Sequence, residues 1–242
     1  MENPLSEDHI GFLSEFLNPV YLQPRTMDTL SNRFAEESSL ELHSFLSSNL
    51  ADALLSRLRA TDAKDGLDET RKGRIPPHSA GVCHPWIIKG PPHKWRYSVL
   101  APPRHDAPVA AVSPRAAGSL DEIMRSLQNE LLPSAAFRAW LAIVTRLLPM
   151  SYSVEARRFR PGLDYTLATS DEEDARLDVV LGLTPEIEDE DRSAGPSNRS
   201  RNSARTLRPP ERGWQAAEWG GWEVSPSLFL SLAPFTFLKS HC

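Results

Sequence analysis

The chain has few cysteines, few glycines and no long apolar run. Its 242 residues include two cysteines, one of them the last residue, and two thiols cannot build the disulfide framework of a small secreted domain. No apolar run reaches the ~18 residues that a membrane-spanning helix needs. The first residues are acidic rather than basic, unlike a secretory signal. We therefore expect a cytoplasmic or nuclear protein that does not contact a membrane.

The chain also lacks an excess of basic charge. Its 27 Lys and Arg are outnumbered by 32 Asp and Glu, so nothing in the overall charge favours binding to nucleic acid, which rests on neutralised phosphates. Proline outnumbers glycine by 21 to 12, which favours loops and sheet over an all-helical bundle. With 40% apolar residues the chain can bury a core. Neither a Gly-x-Ser-x-Gly elbow nor a glycine-rich phosphate loop is present.

Helical spacing marks the N-terminal part of the chain. Ser6 suits an N-cap, Asn18-Pro19 ends the first predicted helix, and Pro24 suits the first position of the second. A short strand is predicted at 40–42, and 61–74 is predicted to be an exposed linker. The predicted apolar stripes of three helices are Ile10, Leu13 and Leu17; Met27, Leu30 and Phe34; and Leu50, Leu54 and Leu58.

Two more helices are predicted from their caps. Ser119-x-x-Glu122 is a capping box, in which the hydroxyl and the carboxylate each accept a hydrogen bond from a free amide. Ser134 caps the next helix, which has the clearest amphipathic pattern in the chain. Its apolar positions are Phe137, Trp140, Leu141, Val144 and Leu148. Strands are predicted at 86–88 and 95–100.

A β-meander is predicted over 152–183. Apolar residues alternate on both sides of Pro161-Gly162, where Pro fixes φ and Gly accepts the positive φ of a type II turn. A nearly continuous apolar run follows at 178–183. We assign structural roles to Pro161 and Gly162 in the turn, and to Tyr165 and Trp140 in the core.

Arg157, Arg158 and Arg160 form the best polar cluster in the sequence. Their guanidinium groups suit an anion or an acidic partner. The alternative, which we favour, is that they cover a sheet face or pair with Asp164 and the acidic run 171–174. His78, Cys83 and His84 offer three metal-ligand types, but structural zinc sites usually draw four ligands from two clusters.

Seven strings of residues resemble one family, in the family's own order, over about 18–223. They are Asn18-Pro19-x-Tyr21-Leu22, 34–46, Gly90-Pro91-Pro92-His93-Lys94-x-Arg96-Tyr97, 137–141, 157–169, 177–184 and 219–223. They resemble the C-terminal domain of the eukaryotic 2-oxoglutarate- and iron-dependent prolyl 3-hydroxylases that act on a small-subunit ribosomal protein.

This resemblance implies a fold and a function. It implies an α+β protein, with N-terminal helices packed on an incomplete double-stranded β-helix, that serves as the non-catalytic regulatory and interaction half of the enzyme. The full-length family enzyme uses iron(II), 2-oxoglutarate and ascorbate and is linked to translation termination and oxygen sensing. The implied partners are the catalytic domain in cis and ribosomal, translation or proteolysis factors.

The same resemblance suggests boundaries along the chain. Residues 1–33 would be linker helices from a catalytic domain, and 34–223 would be the non-catalytic domain. A disordered loop is expected at about 186–212, where an acidic run gives way to Ser, Asn, Arg and Pro. Residues 224–242 depart from the family as an apolar tail, which suggests a chain truncated at both ends.

The iron chemistry of the family requires a specific set of ligand residues. A non-haem iron oxygenase of this type needs two His and one carboxylate, usually with a His-x-Asp or His-x-Glu pair. No histidine of this chain has an acid two positions later. We therefore predict no catalytic, cofactor-binding or metal-binding residue. The alternatives are a free-standing scaffold module, an oxygenase with unusual ligands such as His78, His84 and His93, and a non-functional fragment of a mispredicted gene.

Overall fold

The computed structural model contains both helices and short strands, and it describes residues 4–71, 74–102, 115–167, 176–183 and 235–241. The predicted loop at 186–212 lies outside the described residues, as does the family-like string 219–223. The helices are α1 (Glu7–Ser14), α2 (Pro24–Glu37), α3 (Ser48–Asp65), α4 (Leu120–Ser126) and α5 (Ala135–Thr145). The strands are β1 (Ser39–His43), β2 (Trp86–Lys89), β3 (Trp95–Leu100), β4 (Arg157–Arg158), β5 (Tyr165–Thr166), β6 (Arg176–Leu181) and β7 (Phe235–His241).

The predicted helix caps are confirmed. Ser6 Oγ and Ser134 Oγ each accept a hydrogen bond from the third amide of their helices, α1 and α5. At α4 the Ser119 amide donates to Glu122 Oε2 (2.7 Å), and the Glu122 amide donates to Ser119 Oγ (3.3 Å). Each of these bonds satisfies an amide that the helix itself leaves free. Local sequence thus determines where these three helices begin.

The helices enclose one apolar core around Trp140. The Trp140 side chain is fully buried, its ring lies 5.4 Å from Phe45 and 5.8 Å from Phe137, and its Nε1 donates to the Tyr21 carbonyl at 2.9 Å. The predicted stripe residues Leu13, Met27, Phe34, Leu50 and Leu54 belong to the same core. Trp140 therefore has the core position predicted for it.

The first sheet has three antiparallel strands in the order β1-β7-β6. β7, from the C-terminal end of the chain, pairs along its length with both β1 and β6, so Leu238 faces Leu40 on one side and Val179 on the other. Residues 177, 179, 181 and 183 of the β6 segment pack against the helical core. The sheet and the helices thus share one core, and the predicted α+β class is confirmed.

The second sheet is built on β3. β2 pairs antiparallel with one edge of β3, while β4 and β5 pair with different parts of its other edge. The predicted meander over 152–183 is wrong in its connectivity, because β4 and β5 each pair with β3 and β6 belongs to the first sheet. Residues 152–156 form no strand, although their alternating pattern predicted one. Alternation of apolar and polar residues indicates that a segment suits a strand. It does not show which neighbouring strand would supply the hydrogen bonds.

Two predicted helix boundaries are also wrong. α3 continues to Asp65, inside the predicted linker 61–74, and ends at Gly66 with φ +68°. α5 ends at Thr145, because Arg146 adopts a left-handed φ of +59° as its C-cap. Leu148, predicted to lie on the buried stripe of α5, is 69% exposed as a result.

We predict that Trp140→Ala destabilises the fold by about 3–5 kcal/mol, because it leaves a large cavity and an unpaired Tyr21 carbonyl. Leu148→Ala is the control, with an expected change within about 0.5 kcal/mol for an exposed site. Urea unfolding followed by far-UV circular dichroism measures both. Equal losses in the two variants would contradict this account of the core.

Candidate functional site

The turn between β4 and β5 is built on a buried ion pair. Arg160 donates to both carboxylate oxygens of Asp164 (Nε–Oδ2 2.7 Å, Nη2–Oδ1 2.8 Å), and neither side chain is exposed to solvent. The Arg160 amide also donates to Asp164 Oδ2 at 2.9 Å. Arg160 Nη1 donates to the carbonyls of His78 and Ala80 at 2.5 and 3.2 Å. A second guanidinium, that of Arg96, lies 3.5 Å from the Asp164 carboxylate. These hydrogen bonds connect the turn to the loop that precedes β2.

Arg158 fastens β4 to the end of α3. Its Nη2 donates to Asp62 Oδ1 and its Nη1 to Asp65 Oδ2, both at 2.7 Å, and its guanidinium lies 6.0 Å from the centre of the Trp86 ring. Burial raises the pKa of Asp62, and the hydrogen bond from Arg158 opposes that rise. The side chains of Arg158 and Asp65 are only 13% and 10% exposed, while that of Asp62 is 29% exposed.

A more exposed cluster surrounds Glu155. Its carboxylate accepts hydrogen bonds from Lys89 Nζ, Tyr97 Oη (2.9 Å) and Arg157 Nε (2.8 Å). The Arg157 guanidinium lies 4.9 Å from the centre of the Tyr97 ring, and Phe159 lies 5.4 Å from that ring. These contacts join β2, β3 and β4 across one face of the second sheet.

The charges of the Glu155 cluster shift each other's titration. Burial raises the pKa of Glu155, but the hydrogen bonds from Lys89, Arg157 and Tyr97 outweigh it and hold that pKa below its ordinary value. The hydrogen bond to Glu155 raises the pKa of Lys89. Burial, and then the bond to Glu155, raise the pKa of Tyr97. At neutral pH the cluster is therefore a stable set of two cations, one anion and a neutral phenol.

The three arginines singled out from the sequence have different surroundings. Arg160 is buried against Asp164, as the favoured alternative proposed, and Arg158 pairs with Asp62 and Asp65 instead. Arg157 remains 41% exposed beside Glu155. A partner contact by this cluster stays a prediction, and Arg157 is the one guanidinium of the three that solvent reaches readily.

The residues of the predicted turn occupy a tight site. Gly162 has a φ of +72°, and a Cβ at this position would lie 3.0 Å from Ile75 Cγ1. The Leu163 amide donates to the Arg160 carbonyl at 3.0 Å, closing the turn around Pro161-Gly162. Pro161 and Gly162 therefore have the structural role predicted for them.

Tyr165 lies at the surface rather than in the core. It is 39% exposed, its hydroxyl donates to the Pro92 carbonyl, and its ring lies 5.9 Å from the Arg96 guanidinium. The predicted core position for Tyr165 is wrong, because β5 is a two-residue strand at the edge of β3 and no element covers its outer face among the described residues.

The candidate metal ligands are not brought together. Within the described part of the chain, no three His, Cys, Asp or Glu side chains form a group that could hold a metal ion, which applies to His78, Cys83, His84 and His93 alike. Cys83 is exposed and forms no disulfide with another described residue. The described residues therefore do not fit an iron site of the two-His, one-carboxylate type.

A cleft that sequence reasoning missed lies between α2 and the end of α5. Its volume is about 410 Å³. Arg146 joins its two walls, because its Nε donates to Ser31 Oγ (2.9 Å) and its Nη2 to Asn32 Oδ1 (2.6 Å). The lining residues are Pro4, Pro24, Met27, Asp28, Ser31, Ile143 and Arg146. No sequence pattern pointed to it, because its walls come from segments more than 100 residues apart.

The fold and the sequence place the chain in a known class. A family model described as "Oxoglutarate and iron-dependent oxygenase degradation C-term" matches residues 8–226. Because this match spans most of the chain, the chain belongs to that family of oxygenase C-terminal domains. The resemblance found in the sequence is thereby confirmed at the level of the family.

One curated relative carries a more specific description. The chain is 28% identical over 174 residues to a protein of Ostreococcus tauri described as prolyl 3,4-dihydroxylase OGFOD1. The alignment covers 71% of this chain but 32% of the relative. The chain therefore spans about a third of the length of the curated relative it matches. Among the described residues no helix is both long and apolar enough to cross a membrane.

We predict that Asp164→Asn destabilises the fold by about 3–5 kcal/mol, since it leaves the Arg160 charge buried without its carboxylate. The control is Glu37→Gln, which breaks the exposed Arg33–Glu37 pair, whose side chains are 52% and 48% exposed. That change should cost less than about 1 kcal/mol. Urea midpoints of the two variants measure the difference, and similar midpoints would show that the buried pair is dispensable.

Glu155 should make stability depend on pH. Its pKa is lower in the folded chain, so its charge stabilises the fold above the ordinary glutamate pKa of about 4.3, and this contribution disappears as the pH falls through the folded value. Glu155→Gln should therefore be less stable than the unaltered chain at pH 7, with the gap closing in acid. Unfolding in urea from pH 3 to pH 8 tests this, and a gap that stays constant with pH would refute it.

Proposed function

We propose that this chain is the non-catalytic C-terminal regulatory and interaction domain of a prolyl 3-hydroxylase-type 2-oxoglutarate- and iron(II)-dependent dioxygenase. The observation that carries the proposal is the family match over residues 8–226, together with the relative described as a prolyl 3,4-dihydroxylase. The substrate of the whole enzyme would be a prolyl residue of a small-subunit ribosomal protein. The domain would connect that modification to translation termination and to oxygen sensing.

The chemistry would belong to the part of the longer protein that this chain does not match. Nowhere in the full sequence is a histidine followed by an acid two positions later, and the described residues bring no metal-binding group together. Iron(II), 2-oxoglutarate and ascorbate would thus act in the catalytic domain, which is the partner expected in cis. Ribosomal, translation or proteolysis factors are the further partners that this role implies.

We also propose that the two sheets belong to a double-stranded β-helix. Two antiparallel sheets of short strands support this, as does the insertion of β7 between β1 and β6, which are far apart in sequence. The boundaries proposed for the domain are 34–223, preceded by linker helices in 1–33 and followed by the tail 224–242, whose strand β7 pairs with β1 and β6 of the domain. α1 and α2 contribute Leu13 and Met27 to the common core, so the linker helices and the domain would fold together.

A free-standing protein-binding module is the second candidate. It is favoured by the continuous core that joins the helices to residues of both sheets, including Trp86 and Leu100 of the second. A chain with such a core does not need a second domain to bury its apolar residues. The two candidates differ in whether the chain binds the oxygenase part of the family.

Activity and binding measurements separate these proposals. The purified chain, given iron(II), 2-oxoglutarate and ascorbate, should release no succinate above background with a prolyl peptide, whereas the whole Ostreococcus tauri relative should. The chain should also bind the portion of that relative outside the aligned segment in isothermal titration calorimetry. Succinate release by the chain alone would overturn its non-catalytic role. Absence of binding would leave the free-standing module as the better account.

A further inference from the structure

β2 is an edge strand of the second sheet. Among the described residues it pairs with β3 alone, so the strand order β2-β3-β4 leaves one side of β2 free. Ile87 and Ile88, which point to opposite faces of the sheet, are 45% and 43% exposed. Natural edge strands are usually protected by a charge, a proline or a bulge, whereas the two central positions of β2 are isoleucines. The centre of β2 is therefore open along its edge and on both faces.

The backbone of Ile88 points outward at this edge. Just beyond the two strands, the Ala101 amide donates to the Pro85 carbonyl at 2.7 Å, which makes these opposite residues a hydrogen-bonded pair. Hydrogen-bonded and non-bonded pairs alternate along an antiparallel ladder, so Ile87 and Lys89 direct their backbone groups toward β3. The amide and the carbonyl of Ile88 consequently face away from β3. They can pair with an extended segment that lies along β2, as in β-strand addition.

The hairpin of β2 and β3 is basic in an acidic chain. Residues 70–105 contain seven Lys or Arg and no Asp or Glu, whereas the whole chain has a net charge of −5. The side chain of Lys89 is 43% exposed, and it shares the carboxylate of Glu155 with Arg157, which is 41% exposed. Lys94, on the turn after β2, is exposed as well. An acidic segment therefore complements the charge at this edge, and a basic segment does not.

We propose that β2 binds an extended acidic segment of a partner protein, which adds a strand antiparallel to it. The segment carries an acidic residue opposite Lys89 and apolar residues opposite Ile88 and Ile87, so its core is acidic-apolar-apolar in sequence. A peptide is favoured over nucleic acid, because outward amide and carbonyl groups beside isoleucines match a peptide backbone rather than phosphates. The inference rests on the interaction role proposed above and identifies one surface for it.

Three fluorescein-labelled peptides with uncharged ends test the proposal on the unaltered whole chain. The first has the core Glu-Val-Val between threonines, the second has Lys in place of Glu, and the third has N-methylvaline in place of the first valine. The N-methyl group removes the amide that would donate to the Ile88 carbonyl, and it keeps the charge. Fluorescence anisotropy should show saturable binding of the first peptide at micromolar concentrations. The other two should bind at least about tenfold more weakly.

Two variants of Ile88 test the same edge from the side of the protein. Ile88→Pro removes the outward amide, and proline is tolerated on the solvent side of an edge strand. Ile88→Val keeps that amide and is the matched control. Ile88→Pro should bind the Glu-Val-Val peptide at least about tenfold more weakly than the unaltered chain, while Ile88→Val should bind it equally well. Far-UV circular dichroism checks that both variants fold, and the comparison of the three peptides does not depend on either of them.

Three outcomes would overturn the proposal. Equal binding of the three peptides, or no binding of the first, would exclude the edge of β2 and leave the proposed function standing, since succinate release tests that function separately. Binding of a labelled single-stranded RNA without binding of the peptides would assign the basic hairpin to nucleic acid. A dimer in sedimentation velocity that Ile88→Pro abolishes, without peptide binding, would assign the edge to a second copy of the chain.

Discussion

The buried pair of Arg160 and Asp164 is the constraint on which the second sheet depends. β4 and β5 are two residues long, and strands this short cannot hold a sheet by their own hydrogen bonds. The pair closes the turn between them, and the remaining donors of Arg160 reach the loop before β2. A guanidinium suits this task because its rigid fork serves a carboxylate and two carbonyls at once. Around it, Arg158 ties the same sheet to α3.

These internal contacts change the meaning of the arginine-rich segment. From the sequence alone, the segment could either bind a partner or stabilise the fold. In the structure Arg158 and Arg160 form ion pairs within the chain, so they stabilise the fold. Arg157 is the exception, because its side chain stays 41% exposed beside Glu155.

Local signals predicted the helical layer well and the sheets less well. Ser6, Ser119 and Ser134 identified three helix starts because a cap depends on residues three positions apart. The segment 152–156 has an alternating pattern but forms no strand, since the free edge of β3 pairs with β4 and β5 instead. Leu148 continued the apolar spacing of α5, yet the helix ends at Arg146 with a left-handed φ. The same holds for the candidate site. The sequence pointed to the three arginines, which are close together in the chain, but not to the cleft, whose walls come from distant segments.

The sequence alone determined the family, the absence of a His-x-Asp or His-x-Glu pair, the positions of the caps and the Pro161-Gly162 turn. Each of these features depends on residues that are close together in the chain, because residue spacing and backbone preference determine caps, turns and short motifs. Tertiary structure decided that Arg160 is buried, that Tyr165 and Leu148 are exposed, and that β7 lies between β1 and β6. These depend on which distant segments meet, because burial and strand pairing are properties of the packed chain and not of any one segment of it.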